Sequence, residues 1–248
     1  MASATNKSIE LIPAIDIIDG HVVRLTKGDY NASKSYSSEP LEMAKRFEDY
    51  GFRRLHLVDL DGARSRHIVN HAVLEKIAGN TKLEIDFGGG IKAEDDLRIA
   101  FESGAHMVTV GSLSATAPDT FLGWTEKYGA ERFIIGADVD NEMIKINGWK
   151  EEGGISLLPF LQRFYDRGLR KVLCTDIAQD GTLKGPAIGL YKKIMQHFPD
   201  CQLIASGGVG SEADIEALHE AGIPAVVFGK AIYEGKVSLE VLSKRYLQ

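Results

Sequence analysis

Three features of the sequence predict an α/β fold: a single (β/α)8 barrel, the TIM-barrel architecture, built with a twofold half-barrel repeat. Apolar runs of four to six residues alternate with helical patterns about eight times. Buried parallel strands read as such continuous apolar runs. At 248 residues the chain suits one α/β barrel domain. Finally, one stretch occurs twice, 118 positions apart. Leu83–Ser112 and Leu203–Lys230 share an apolar run, a glycine pair, an amphipathic segment and a second apolar run. Gly89-Gly90 falls on Gly207-Gly208, Glu94 on Glu212, Asp96 on Asp214, Gly104 on Gly222 and Gly111 on Gly229. A repeat near half the chain length favours a closed barrel over an open doubly wound sheet.

The elements follow in order. Leu11–Ile15 is the first strand, and Val22–Leu25 is its hairpin partner after the Asp19-Gly20 turn. Pro40–Tyr50 reads as a helix because Leu41, Ala44 and Phe47 recur at helical spacing after a proline. Arg54–Val58 is a strand and Ala72–Ala78 a weaker helix. The first long unit is strand Leu83–Phe87, helix Ala93–Ser103 and strand Met107–Val110, followed by helix Pro118–Tyr128. Phe121, Trp124 and Tyr128 share a helix face there and read as core.

The second half begins with strand Phe133–Ala137 and an inserted hairpin arm, Met143–Ile146, ending at Gly148-Trp149. Helix Ser156–Arg167 has Leu157, Phe160, Leu161 and Phe164 on one face. Strand Lys171–Cys174, helix Ile188–His197, the second long unit and helix Ser238–Tyr246 complete the chain. No linker interrupts it, and residues 1–10 are expected to form a flexible polar extension.

Composition narrows the function. A net charge of −6 speaks against a nucleic-acid surface. No apolar run approaches a membrane span, and the polar N-terminus lacks a signal-peptide core, so a cytoplasmic protein is expected. Cys174 and Cys201 are too few for a disulfide framework, and the seven histidines include no metal-site motif. The expected partner is a small molecule, bound by a monomer.

In a barrel the working face is the C-terminal rim of the strands. Asp16 is read as ending the first strand and Asp138 the fifth, so the two carboxylates face across the mouth. Such a pair can divide acid and base work. An aspartate after a strand can also cap the next turn; the symmetric placement favours catalysis. The glycine clusters follow the third, fourth, seventh and eighth strands, in two neighbouring pairs on opposite sides. Backbone N–H groups at such turns bind phosphate, since glycine allows close approach and a helix start adds its positive dipole end. Two facing cradles imply a ligand with a phosphate at each end, its middle over Asp16 and Asp138. Thr175 ends the sixth strand, where its hydroxyl can reach the reacting centre; Asp176 and Asp180 follow in a loop open to either a turn or a binding role. Trp149 can pack its loop down or stack on a flat ring. Arg24, Lys27 and Asp29 read as a solvated face, and His56 as a satisfied core or rim histidine.

Together, Pro13-Ala14-Ile15-Asp16, Val23-Arg24-Leu25 with Gly28-Asp29-Tyr30, Leu57–Ala63, Gly88-Gly89-Gly90-Ile91, Val110-Gly111-Ser112, Asn147-Gly148-Trp149, Cys174-Thr175-Asp176-Ile177 with Asp180-Gly181-Thr182, and Ser206-Gly207-Gly208-Val209 resemble the histidine-biosynthesis isomerases that convert the aminoaldose ProFAR to the aminoketose PRFAR. The likeness runs from about Leu11 to the C-terminus. It implies an Amadori rearrangement with Asp16 as general base, Asp138 as general acid and Thr175 assisting. It further implies Gly89, Gly90, Gly111 and Ser112 at one phosphate, Gly207, Gly208, Gly229 and Lys230 at the other, Asp180 as a loop contact, and Trp149 against the ligand. No metal and no organic cofactor are implied, because the iminium intermediate is its own electron sink. The related cyclase shares the glycine motif but usually has cysteine at the position of Ala14 and favours an Ile-Asn-Ser-like end to strand four in place of Val110-Gly111-Ser112; the Trp149 hairpin also favours the isomerase. A dual-substrate isomerase acting also on phosphoribosyl anthranilate and a non-catalytic phosphosugar sensor are the other readings. Lys92 and Lys230 stand where arginine is usual in the family. Lysine keeps the charge but loses the planar fork of donors.

Overall fold

The computed structural model describes residues 8–26, 29–35 and 39–247, with side chains for those outside 24–38. The side-chain readings of Arg24, Lys27 and Asp29, and of residues 1–7 in the N-terminal extension, lie outside the described residues.

The chain opens with β1 (Glu10–Ile18), β2 (His21–Thr26), β3 (Asp29–Ser35) and α1 (Pro40–Asp49). It continues through β4 (Arg54–Asp59), α2 (Leu60–Ser65), α3 (His71–Ala78), β5 (Glu84–Gly88), α4 (Glu94–Glu102) and β6 (Met107–Val110). After α5 (Ser112–Thr116) and α6 (Pro118–Tyr128) come β7 (Phe133–Asp140), β8 (Met143–Ile146), β9 (Glu151–Ser156) and α7 (Leu157–Tyr165). The last part is β10 (Lys171–Asp176), α8 (Ile188–His197), β11 (Gln202–Ser206), α9 (Glu212–Glu220), β12 (Ala225–Phe228), α10 (Lys230–Tyr233) and α11 (Leu239–Tyr246).

Eight strands pair in parallel around a closed ring: β1, β4, β5, β6, β7, β10, β11, β12 and back to β1. Closure leaves no stave with an unpaired edge. Each stave sends alternate side chains outward and inward. Leu55 and Leu57 of β4 face out into the main core beneath the helices. Helix α7 buries Leu157, Phe160, Leu161 and Phe164 against it, the face predicted from spacing. Each such phenylalanine contributes roughly 2–3 kcal/mol by burial. Ile12, Ala14, Met107, Ile134, Leu173, Ile204, Ala225 and Val227 form a second apolar cluster inside the barrel.

The strands that carry the two carboxylates run past their predicted ends. Asp16 and Asp138 were read as strand ends; β1 continues to Ile18 and β7 to Asp140. Both extensions are held by antiparallel hairpins, Asp16 opposite Val23 and Val139 opposite Ile144, which satisfy backbone groups beyond the barrel rim. The short α2, α5 and α10 and the strands β3 and β9 were not predicted. Helices of four to six residues carry too little periodicity to be read. At the other end of the chain's first strand, Ile9 is buried and Glu10 pairs with Pro224 and Ala225 across the barrel seam. No described helix is long and apolar enough to cross a membrane.

Candidate active site

A cavity of about 300 Å³ opens at the C-terminal mouth of the staves. Its lining brings together Asp16, Asp138, Thr175, Trp149 and Asp180 with Gly89, Gly90, Gly111, Ser112, Gly207, Gly208, Gly229 and Lys230. The whole predicted set therefore shares one space. Asp16 rises from β1 and Asp138 from β7, and four steps around an eight-membered ring place those staves opposite each other. Thr175 is the register partner of Asp138 on the adjoining β10.

Asp138 is half-buried, and Trp149 Nε1 donates a hydrogen bond to its Oδ2 at 2.8 Å. Burial pushes its carboxyl above the usual range, although hydrogen bonds with Trp149 and Thr175 and the charge of His56 pull the other way. A carboxyl that holds its proton more tightly is suited to give it to a leaving oxygen. Trp149 sits in a turn with three successive left-handed residues, Asn147, Gly148 and Trp149, at φ 54°, 66° and 69°. Two of these are not glycine, so the loop carries backbone strain.

The glycine pairs take matching conformations. Gly89 and Gly207 both have φ 93°, with Gly90 at 82° and Gly208 at 85°. A Cβ on Gly89 would lie 2.1 Å from the Asp59 carbonyl oxygen, and one on Gly208 would lie 2.1 Å from that of Gly185. Behind each pair an aspartate of the next helix accepts from the turn's backbone. Asp96 Oδ2 takes the N–H groups of Lys92 and Ala93 (2.9 and 2.8 Å), and Asp214 Oδ2 takes that of Gly210 (2.8 Å). Each cradle is completed by the turn after the following stave. Gly111 and Gly229 precede the first residues of α5 and α10, Ser112 and Lys230. Ser112 Oγ accepts from the Asn147 N–H (2.9 Å), and Lys230 Nζ donates to the Gly181 carbonyl (2.6 Å). Lys92 is half-buried at the first cradle; burial, then the nearby Arg66, lowers its pKa.

Sequence reasoning missed a polar sector inside the barrel. His56 is buried and its Nδ1 bonds Asp86 Oδ1, which agrees with a satisfied histidine, yet its ring also lines the cavity. Thr109 Oγ1 donates to the same Asp86 oxygen at 3.2 Å. Arg54 donates to Asp86 Oδ2 at 3.3 Å and to Glu10 at 2.9 Å. The signal was present as period two: Arg54 and His56 flank Leu55 in one strand, and Asp86 stands between Ile85 and Phe87 in the next. Charged residues on alternate positions of apolar strands lie on the same, inward face. A second missed group is Asp59, fully buried, whose carboxylate accepts from the backbone of Gly62, Val69 and Asn70 and from Asn70 Nδ2. It shapes the loop against which Gly89 and Gly90 pack. Among the described residues no group of three His, Cys, Asp or Glu is placed to hold a metal ion.

Comparison with known proteins gives a consistent result. A family model described as histidine biosynthesis protein matches residues 10–238. A protein of Parabacteroides distasonis is 60% identical over 94% of this chain and 98% of its own length. One from Bacteroides thetaiotaomicron is 57% identical over 94% and 98%, and one from Phocaeicola vulgatus 57% over 95% and 99%. All three are named 1-(5-phosphoribosyl)-5-((5-phosphoribosylamino)methylideneamino)imidazole-4-carboxamide isomerase.

Proposed function

The chain belongs to the histidine biosynthesis protein family and is an isomerase of that pathway, and from that premise we propose how its residues perform the reaction. The substrate is ProFAR, the bisphosphorylated aminoaldose for which the relatives are named, and the product is the aminoketose PRFAR. One phosphate rests on Gly89, Gly90, Gly111 and Ser112, with Lys92 beside them. The other rests on Gly207, Gly208, Gly229 and Lys230. The ribose to be opened then lies between Asp16 and Asp138. The observation that carries this reading is Asp138, its carboxyl pKa raised by burial, opposite a second carboxylate in one cavity with a glycine cradle on each side.

Asp138 gives its proton to the ring oxygen as the C1′–O bond breaks, leaving a C1′ iminium and a free hydroxyl. Asp16 removes the C2′ proton, and the C–H electron pair becomes the C1′=C2′ bond of a neutral enolamine. Loss of the enol proton and gain of one at C1′ give the ketose; exchange with solvent restores both carboxyl groups. The iminium accepts the electron pair, so the proposal assigns no metal or organic cofactor. Thr175 helps hold Asp138, Asp180 contacts the substrate from its loop, and Trp149 lies against the bound ligand. The twofold half-barrel repeat belongs to the same reading, supported by the matched glycine conformations and the Asp96 and Asp214 caps. So do a single domain, a monomer and a cytoplasmic location.

The test is to incubate purified protein with ProFAR and follow PRFAR. Isomerisation without added metal is expected, with loss of about 10²–10⁴-fold in Asp16→Asn and in Asp138→Asn. Full activity in Asp16→Asn would sink the mechanism. Tight binding with no turnover would turn the reading to a phosphosugar sensor.

A further inference from the structure

We propose that Arg66 is a phosphate-binding residue of the first cradle, closing it from the loop after α2 with the guanidinium fork that Lys92 lacks. The inference rests on the substrate assignment above and deepens it, since none of the residues placed there at a phosphate is an arginine.

Three contacts locate the guanidinium beside the cradle. The carbonyl of the next residue, His67, packs so closely on the glycine turn that a Cβ on Gly90 would lie 2.6 Å from its oxygen. Arg66 Nη2 donates to Asn147 Oδ1 at 3.4 Å, and the Asn147 N–H is the one that Ser112 Oγ accepts at 2.9 Å. Arg66 thus reaches both turns of this cradle, Gly89-Gly90 through His67 and Gly111-Ser112 through Asn147. Its charge also bears on Lys92, which lines the cavity: after burial, the guanidinium is what lowers the Lys92 pKa.

Neighbouring cations repel each other, and carboxylates ordinarily relieve them. Among the described residues, neither Arg66 nor Lys92 has a carboxylate within ion-pair distance. The carboxylate behind the turn, Asp96, uses both oxygens on backbone N–H groups, Oδ1 on Ile68 and Oδ2 on Lys92 and Ala93. Arg64, two residues earlier, does have such a partner, Asp61 at 3.6 Å. The backbone points the same way. Arg66 caps α2 in the left-handed region, at φ 67° and ψ 27°, with its N–H on the Gly62 carbonyl at 2.8 Å. Glycine or asparagine suits that position best, and the Arg66 side chain is exposed, so burial does not account for the arginine.

A phosphate answers both cations at once. The guanidinium presents five N–H donors in a planar fork that matches phosphate oxygens, and Asn147 engages one of its nitrogens. Lys92 adds a point charge from the cavity wall. These contacts are the same in substrate and product, so they contribute to binding and not to the chemical step. Arg66 makes and breaks no bond in this role.

The test uses the full chain. In the ProFAR assay, Arg66→Gln is expected to raise KM about 10–100-fold, the range for one charge-assisted contact, with kcat little changed. Arg64→Gln removes the same charge from the same loop and should leave both constants alone. Lys92→Arg added to Arg66→Gln returns a fork to the cradle and should recover most of the KM. In ³¹P spectra of enzyme saturated with PRFAR, Arg66→Gln should move one of the two phosphate signals and not the other. An unchanged KM, an equal effect from Arg64→Gln, or a fall in kcat at constant KM overturns the proposal. So does a raised KM that Lys92→Arg does not relieve while both ³¹P signals stay in place. If wild type isomerises ProFAR and Arg66→Gln behaves like it, this inference alone fails. If wild type does not isomerise ProFAR, the substrate reading fails, and calorimetric titration with inorganic phosphate decides the contact. Weaker phosphate binding in Arg66→Gln than in wild type then supports it, and equal binding overturns it.

Discussion

The interior of the barrel differs sharply between the β4–β6 side and the β10–β12 side. On the first, Arg54, His56, Asp86 and Thr109 point inward beside Met107, with Asp86 bonded to the other three polar residues. On the second they are Leu173, Ile204, Ala225 and Val227, part of an apolar cluster. Asp86 stands 118 positions before Ile204 and Thr109 the same distance before Val227, the offset that aligns the glycine pairs. The rim is thus alike on both sides and the interior is not. The rim presents the two matched turns that the proposed function uses as phosphate grips, whereas the Arg54–His56–Asp86 group lies under one side only.

The largest effect should come from moving one side's chemistry onto the other. Asp86→Ile copies the residue at Ile204, leaves His56 without its carboxylate partner and leaves Arg54 with Glu10 alone. Loss of one partner from a buried charge group costs about 3–5 kcal/mol, read as a lower midpoint in urea unfolding. Adding His56→Leu, which copies Leu173, should recover part of that loss because it removes the buried imidazole left without its partner. If Asp86→Ile is as stable as wild type, the polar sector is not a coupled unit. The same variant removes a pH dependence. Asp86 has a lowered pKa, so its contribution is present above the unfolded carboxylate value and fades as pH falls through the folded one. His56 has a raised pKa, so its contribution is present below the unfolded value and fades as pH rises through the folded one. The pair should stabilise most between about pH 4 and 6.5, and Asp86→Ile should flatten stability across that window.

This contrast also explains what the sequence could and could not tell. The eight staves, their helices and the glycine pairs were legible because each rests on local signals: apolar runs, helical spacing, glycine turns. Asp16, Asp138 and Thr175 were legible because they close apolar runs at the rim. Strand ends were less so. Nothing local in Ile17-Ile18 or Val139-Asp140 says that a strand outlasts the barrel, since the extension depends on pairing with Val22-Val23 and Met143-Ile144. His56 and Asp86 were visible as charged residues within strands, but their partnership requires the register that sets His56 beside Asp86. The Asp59–Asn70 contact joins a strand end to a loop eleven residues on, and no periodicity marks it.

The likeness of the two rims is open to a smaller test. Gly89→Ala and Gly208→Ala each set a Cβ against a carbonyl oxygen, at 2.1 Å in both cases. Equal destabilisation is expected, about 3 kcal/mol each from overpacking and a left-handed backbone. Gly222→Ala, with φ 76° and nothing within 4 Å, isolates the backbone term and should cost about 1 kcal/mol. Thermal melts of the three variants give the comparison. Gly89 is the first residue of its pair and Gly208 the second of its own, so a marked inequality between the two variants would mean that the surroundings of these two turn positions yield by different amounts.

The smallest effect concerns the acid itself. Trp149 Nε1 donates to Asp138, and this bond lowers a pKa that burial has raised. Trp149→Phe keeps an aromatic ring and removes the donor, so the carboxyl should hold its proton to higher pH. As the acid in the proposed mechanism, Asp138 works only while protonated; the pH at which activity falls on the alkaline side should therefore move up in this variant. The pH profile of kcat under saturating ProFAR resolves the direction of the shift. His56 acts on the same limb in the same direction, since its charge also lowers the Asp138 pKa. The double variant Trp149→Phe, His56→Gln should carry the Asp138 limb further up than either change alone. A downward shift in Trp149→Phe would assign the proton on that limb to a group other than Asp138.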